Sequence, residues 1–193
     1  MSLVNSILKI LVGDKSQKDV KAIQPLVKKV KSFEAALSQL SHDELRGKTA
    51  EFKQKIKEGR AAFDSQINEL KTKALATEDI DTREDIYTEI DALENTAYET
   101  TEKILNEILP EAFAVIKETA RRFKENESIT VSASFLDLEL SATRPYISVS
   151  GDQSIWANSW DAAGKAITWD MIHYDVQLIG GVVLHLGKIA EMQ

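Results

Sequence analysis

The stretch Arg121-Arg122-Phe123-Lys124-Glu125-Asn126-Glu127-Ser128-Ile129-Thr130-Val131 decides the fold class, because the spacing of apolar residues changes inside it. Upstream, Phe113, Ile116, Ala120 and Phe123 recur at steps of three and four, the period of one helix face. Arg121, Arg122 and Lys124 then gather where cations suit the negative end of a helix. From Ile129 the period is two. Ile129 and Val131, then Leu136, Leu138 and Leu140, then Ile147 and Val149 alternate with polar residues, and Gly151-Asp152 supplies a turn before Ile155-Trp156. That pattern predicts a small antiparallel sheet of three or four strands. Asp161 to Lys165 reads as a turn or short helix. Trp156, Trp160 and Trp169 are expected to seal the sheet against the helices, a peptide-binding aromatic platform being the alternative.

Towards the amino terminus the chain reads as helix throughout. Val4, Ile7, Leu8 and Leu11 have helical spacing with Gly13 as a stop, and Asn5, Ser6 and Lys9 make the other face polar. A helix this short needs a surface to lie on: its own domain, a membrane or a neighbouring subunit. A second pattern runs from Ser16 through Val20, Ile23, Val27, Val30, Glu34 and Leu37, and Pro25 is expected to restart or kink it. Ser41-His42-Asp43-Glu44 is a capping box flanked by Leu40 and Leu45. The helix it opens buries Leu45, Phe52 and Ile56 and is expected to close at Gly59, with His42 solvated at its first position. Another helix follows over 60–75 through Phe63, Ile67 and Leu70. Thr82 with Asp85 is expected to cap the next, which continues through Ile86, Ile90, Leu93, Ala97, Ile104 and Ile108 as the return arm of an antiparallel hairpin with an acidic outer face. Pro110 predicts a break before the last helix of this region. The fold class is therefore α+β: mostly long antiparallel helices, with a small antiparallel sheet inserted before a final helix and strand.

Composition narrows the function. The chain has 193 residues, enough for one domain with a substantial core. With 43% apolar and 28% charged residues it has the balance of a soluble globular protein. It has no cysteine, which excludes disulfides and thiolate metal sites. No apolar run approaches the roughly 18 residues that a membrane-spanning helix needs, and the leading residues lack a signal-peptide cleavage pattern. The net charge of −7 is unevenly spread. Residues 1–31 carry seven lysines against Asp14 and Asp19, a net of +5, whereas residues 78–111 carry twelve carboxylates against Arg83 and Lys103, a net of −10. The basic leading segment suits anionic lipid or an acidic partner. Without a basic groove interleaved with aromatics, nucleic acid is not an expected partner.

Few residues carry chemistry. Gly13-Asp14-Lys15-Ser16 imitates the tail of a phosphate loop but lacks the earlier glycine and the preceding strand. His42, His173 and His185 lack the spacing of a metal site, and no nucleophile stands with a base. No metal ligand and no catalytic residue is assigned. Gln177 remains, near the start of an apolar helix in His173-Tyr174-Asp175-Val176-Gln177-Leu178-Ile179-Gly180-Gly181-Val182-Val183-Leu184. Its amide offers an acceptor beside donors in one plane, which can pair with the N6 and N7 edge of adenine but not with guanine in the same register. Asp175 is expected to cap this helix, and Gly180-Gly181 to admit close approach of another backbone. Met171 to His173 could cover the flat face of a purine.

Three blocks, in order, resemble the SecA family of preprotein-translocating ATPases. Leu40-Ser41-His42-Asp43-Glu44-Leu45-Arg46-Gly47-Lys48-Thr49-Ala50-Glu51-Phe52 is similar to the family's LSDEELKGKTAEF, and Leu109-Pro110-Glu111-Ala112-Phe113-Ala114-Val115 to its LPEAFAVV. The third is the Gln177 block with Ile189-Ala190-Glu191-Met192, which in the family is a strand running into a Gly-rich phosphate loop. Residues near 60–105 and 126–170 look like insertions of the kind that resembles the Bacteroidetes branch.

The resemblance implies the front of an ATP-driven motor that pushes preproteins through the SecY channel, cytoplasmic and peripherally bound to the inner membrane, often as a homodimer. Residues 1–125 would be a helical region with the amphipathic helix and the acidic hairpin, 126–170 a small β insertion, and 171–193 the adenine-motif helix and first strand of the nucleotide-binding domain. Gln177, with Met171 and His173, would hold the adenine of ATP. Ile7, Leu8, Lys9 and Leu11 would face an anionic membrane or the channel. The phosphate-loop lysine, the acid that binds Mg and the arginine finger have no counterpart in this chain, so it is expected to be catalytically silent alone. The alternative is a stand-alone helical module that docks on a membrane or partner without ATPase activity.

Overall fold

In the computed structural model, residues 15–190 are described. The fold is α+β. Four helices lead, α1 (Lys15–Ser32), α2 (Glu34–Ser38), α3 (His42–Ala76) and α4 (Ile80–Glu125). Then come β1 (Ser128–Ser132), α5 (Phe135–Ser141), β2 (Ile147–Ser150), β3 (Gln153–Ala157), β4 (Ser159–Ala162), β5 (Lys165–Thr168) and α6 (Asp175–His185). The chain divides into two compact units, one made of residues up to Leu45 together with Phe113 onward, the other of Arg46–Ala112. The amphipathic segment holding Ile7, Leu8, Lys9 and Leu11 lies outside the described residues, as does part of the closing strand expected at Ile189 to Met192. Ile189 and Ala190, which are described, form no strand, and Ile189 is exposed.

The Arg46–Ala112 unit is the expected helical hairpin. Ile67, Ala74, Ile86 and Ile90 form its core, with Phe63, Leu70 and Leu93 packed against them. Lys71 and Glu94 join the two arms at 3.0 Å. The turn is held by Arg83, which donates to the carbonyls of Thr77 and Glu78, both at 3.1 Å. Asp79, rather than Thr82, caps α4: its carboxylate accepts from the Thr82 amide at 2.9 Å and the Thr82 hydroxyl at 2.6 Å. The ionised carboxylate is the stronger acceptor for the exposed amides of a helix start.

Three expected breaks are absent. Gly59 does not end its helix, and α3 runs on to Ala76. A Cβ at Gly59 would collide with the Ile104 tip, so this glycine serves close packing of the arms instead of a left-handed stop. Pro110 likewise sits inside α4, its ring fully buried, and tertiary packing outweighs the missing N–H. Pro25 is also contained within a continuous α1, and the chain breaks at Phe33 instead.

In the other unit, α1 buries Ile23, Val27 and Val30 at helical spacing and packs against α6, which buries Leu178 and Val182. The capping box at α3 is formed, with the Ser41 amide donating to Glu44 at 2.7 Å and the Glu44 amide to Ser41 Oγ at 3.2 Å. Strands β1, β3 and β2 form an antiparallel sheet in that order, with Trp156 opposite both Ile129 and Ile147. Asp161 to Lys165 is the bend of a separate hairpin, β4–β5, where Ala163 and Gly164 take φ values of 54° and 78°. Two successive left-handed residues are what a tight hairpin requires.

Leu136, Leu138 and Leu140 lie in a helix, not a strand. Ser134 and Asp137 form a reciprocal capping box that starts α5. Asp137 is fully buried and also accepts from the Trp156 indole at 3.1 Å, while Phe135, Leu136 and Leu138 are exposed. The local polar pair therefore overrides the alternating leucines. The tryptophans are half-buried, Trp160 lying beside Tyr146 with ring centroids 6.4 Å apart.

Candidate functional site

The candidate site grows from the start of α6. Tyr174 is the residue that enters this helix, with extended backbone, and its amide donates to Gln177 Oε1 at 2.8 Å. Gln177 thus satisfies one of the free amides of its own helix start. Asp175 does not cap. Its carboxylate pairs with Lys31 at 2.7 Å, tying α6 to α1 and raising the Lys31 pKa above its ordinary value through that hydrogen bond.

Gln177 and Met171 are brought together. Gln177 Nε2 donates to Met171 Sδ at 3.6 Å, and the Met171 carbonyl accepts from the Trp169 indole at 2.8 Å. His173, between them in sequence, is half-buried, and its Nδ1 is buried without a hydrogen-bond partner among the described residues. A buried polar nitrogen left unpaired costs free energy, so this atom has capacity for a ligand.

The fit of the amide to adenine follows from what remains unused. Gln177 Oε1 has accepted one hydrogen bond and Nε2 has donated one, which leaves one lone pair and one N–H. Adenine presents N6–H as donor and N7 as acceptor, matching both, whereas guanine presents two acceptors there.

The helix behind the site is fixed by packing. A Cβ on Gly181 would lie 3.0 Å from the Phe113 ring, so the small residue seats α6 on an aromatic side chain and not on another backbone. A cleft of about 290 Å³ borders Ile172 and is walled by Glu34, Lys117, Glu118 and Arg121. Its charges are spent on each other: Lys117 pairs with Glu34 at 2.6 Å and Arg121 with Glu118 at 2.7 Å.

Sequence reasoning missed a buried polar knot below that cleft. Glu118 and Arg122 are both buried, 2.8 Å apart, and Arg122 also donates to the carbonyls of Leu37 and Leu40. Arg122 Nη1 lies 3.1 Å from His42 Nδ1, so His42 is not the solvated residue expected at the start of α3. Arginine is only a donor, and His42 must therefore accept through an unprotonated Nδ1. The spacing of Glu118 and Arg122, four apart on one helix, was the available signal. Among the described residues no group of His, Asp or Glu is arranged to hold a metal, and no helix is long and apolar enough to cross a membrane.

These features define an α+β domain whose last described helix opens on a glutamine, and comparison with known proteins gives the family. The model of the SecA DEAD-like domain matches residues 8–193, and the chain belongs to that family. It is 67% identical over all 193 residues to the protein translocase subunit SecA of Flavobacterium psychrophilum, and 56% identical over the same length to that of Christiangramia forsetii. Over 188 residues, 97% of the chain, it is 47% identical to the protein translocase subunit SecA of Porphyromonas gingivalis. The chain spans 17% of the length of each of these relatives. No solved structure matches it.

Proposed function

We propose that this chain forms the front of an ATP-driven protein translocase motor and supplies its adenine-recognition motif. The observation that carries this reading is the pairing of Gln177 with Met171 at the start of α6, which leaves one donor and one acceptor on the amide for the base. Membership of the SecA DEAD-like family supports the motor as its setting. Gln177 reads the base edge, and Met171 and His173 cover its face, His173 Nδ1, unpaired among the described residues, adding a hydrogen-bonding group. Phosphate binding, the Mg ligands and hydrolysis belong to other parts of the full-length protein, and this stretch alone does not hydrolyse ATP. Ile7, Leu8, Lys9 and Leu11 dock the motor on an anionic membrane surface and on the SecY channel. The motor is cytoplasmic, peripheral at the inner membrane, and takes preproteins as substrates, with homodimers as one assembly.

The test is nucleotide affinity in the full-length protein carrying this region. Gln177→Ala should weaken ATP by roughly 10-fold or more, the worth of a good bidentate base contact, and leave GTP nearly unchanged. Equal loss for both nucleotides would exclude base reading.

A further inference from the structure

The β4–β5 hairpin ends where the adenine strip begins, and the connection is built from short hydrogen bonds. Asn158, just before β4, makes three of them. Its amide donates to the Glu127 carbonyl at 2.8 Å, its carbonyl accepts from the Trp169 amide at 2.8 Å, and its side chain donates to the Phe123 carbonyl at 3.1 Å. The base of the hairpin is thereby fixed to the carboxyl end of α4 and to the segment leading into β1. Trp169, just after β5, continues the line through its indole to the Met171 carbonyl at 2.8 Å. Met171 Sδ then holds Gln177 Nε2 at 3.6 Å.

Methionine is the flexible link in this series. Its three side-chain torsions leave the sulfur poorly located unless the backbone is anchored. The indole bond supplies that anchor, and the sulfur in turn restrains an amide whose orientation selects between adenine and guanine. We propose that Trp169 is a positioning residue, through which the hairpin sets the orientation of Met171 and Gln177 and hence the strength and selectivity of adenine binding. This rests on the adenine reading above. It gives the β insertion a role: a brace for the base site, whose β5 strand is exposed along its length.

The experiment compares five forms of the full-length protein: parent, Trp169→Phe, Trp169→His, Gln177→Ala and the double variant Trp169→Phe with Gln177→Ala. ATP and GTP affinities are measured for each, with amide hydrogen exchange over residues 171–177. Trp169→Phe keeps an aromatic ring and removes the N–H donor. It should weaken ATP ~3- to 10-fold, the range for one lost hydrogen bond, leave GTP within about 2-fold, and speed exchange in the strip. Trp169→His, which retains a ring N–H, should recover part of the ATP affinity. The double variant should be no weaker than Gln177→Ala, because both substitutions act on one path. Unchanged ATP affinity in Trp169→Phe, equal loss of ATP and GTP, or additive loss in the double variant would overturn the positioning role. If Gln177→Ala is selective and Trp169→Phe is not, only the positioning role falls. If Gln177→Ala is itself unselective, the adenine reading falls and takes this one with it.

Discussion

The guanidinium of Arg122 donates to the carbonyl oxygen of Leu40 at 2.7 Å, joining the last turn of α4 to a residue 82 positions earlier. The same group reaches the Leu37 carbonyl at 3.0 Å, so one buried cation bonds carbonyls in the last turn of the short α2 and just after it. It also fixes the geometry just before the capping box that starts α3.

Removing that cation should be expensive. Arg122→Ala removes the side-chain donor to the Leu37 and Leu40 carbonyls, of which Leu37 keeps the Leu40 amide at 3.2 Å, and takes one of two arginines from Glu118; it should cost about 3 kcal/mol in urea unfolding. Arg122→Lys, with one point charge in place of a planar fork, should recover less than half. A loss below about 1 kcal/mol for Arg122→Ala would show that the carbonyls find other donors.

Glu118 makes stability depend on pH. Burial pushes its pKa up, but hydrogen bonds and charge from Arg121 and Arg122 outweigh this and hold the carboxyl below its ordinary 4.5. A depressed carboxylate stabilises the fold above the unfolded value, and that contribution is lost as pH falls through the lower folded value. Glu118→Gln should therefore be less stable than the parent at neutral pH and converge with it in acid. A constant difference across the titration would contradict the assignment.

Asp137 tests the β insertion. Its carboxylate takes the Trp156 indole at 3.1 Å and both the amide and hydroxyl of Ser134 at 2.7 Å. Asp137→Ala should cost about 2–4 kcal/mol through the lost cap and the unpaired indole, with a change in tryptophan emission. Asp137→Asn, which keeps one acceptor, should cost less.

Gly59 and Ile104 should be coupled. Gly59→Ala gains about 1 kcal/mol of helix propensity but displaces the Ile104 tip, so alone it should be close to neutral. Gly59→Val should cost about 1–3 kcal/mol by overpacking. Combining Gly59→Ala with Ile104→Val removes the colliding methyl, and the pair should exceed the sum of the single changes in thermal melts.

Leu8→Glu with Leu11→Glu should abolish flotation of the full-length protein with anionic vesicles if the leading segment is the anchor. Unchanged flotation would assign membrane binding elsewhere.

Much of the chain is readable locally. The Ser41–Glu44 box, the period-two strands at Ile129 and Ile147, and the hairpin core at Ile67, Ile86 and Ile90 all rest on neighbours a few residues apart or on one repeated face. The place of Gln177 at the start of α6 was legible for the same reason, its partners Met171 and Tyr174 lying within one short stretch. The Leu136–Leu140 segment was misread because alternating leucines mimic a strand, while the capping pair that makes it a helix is satisfied by Trp156 from a different element.

The sequence by itself determined the fold class, the family resemblance and the glutamine that opens α6, since periodicity, capping pairs and contiguous motifs are local properties. Only the tertiary structure decided that Gly59 and Pro110 stay inside long helices, that Arg122 is buried against Leu37 and Leu40, and that the Asn158 side chain reaches the Phe123 carbonyl. Each of those outcomes depends on a partner brought close by folding, and burial against that partner outweighs the local preference of the residue.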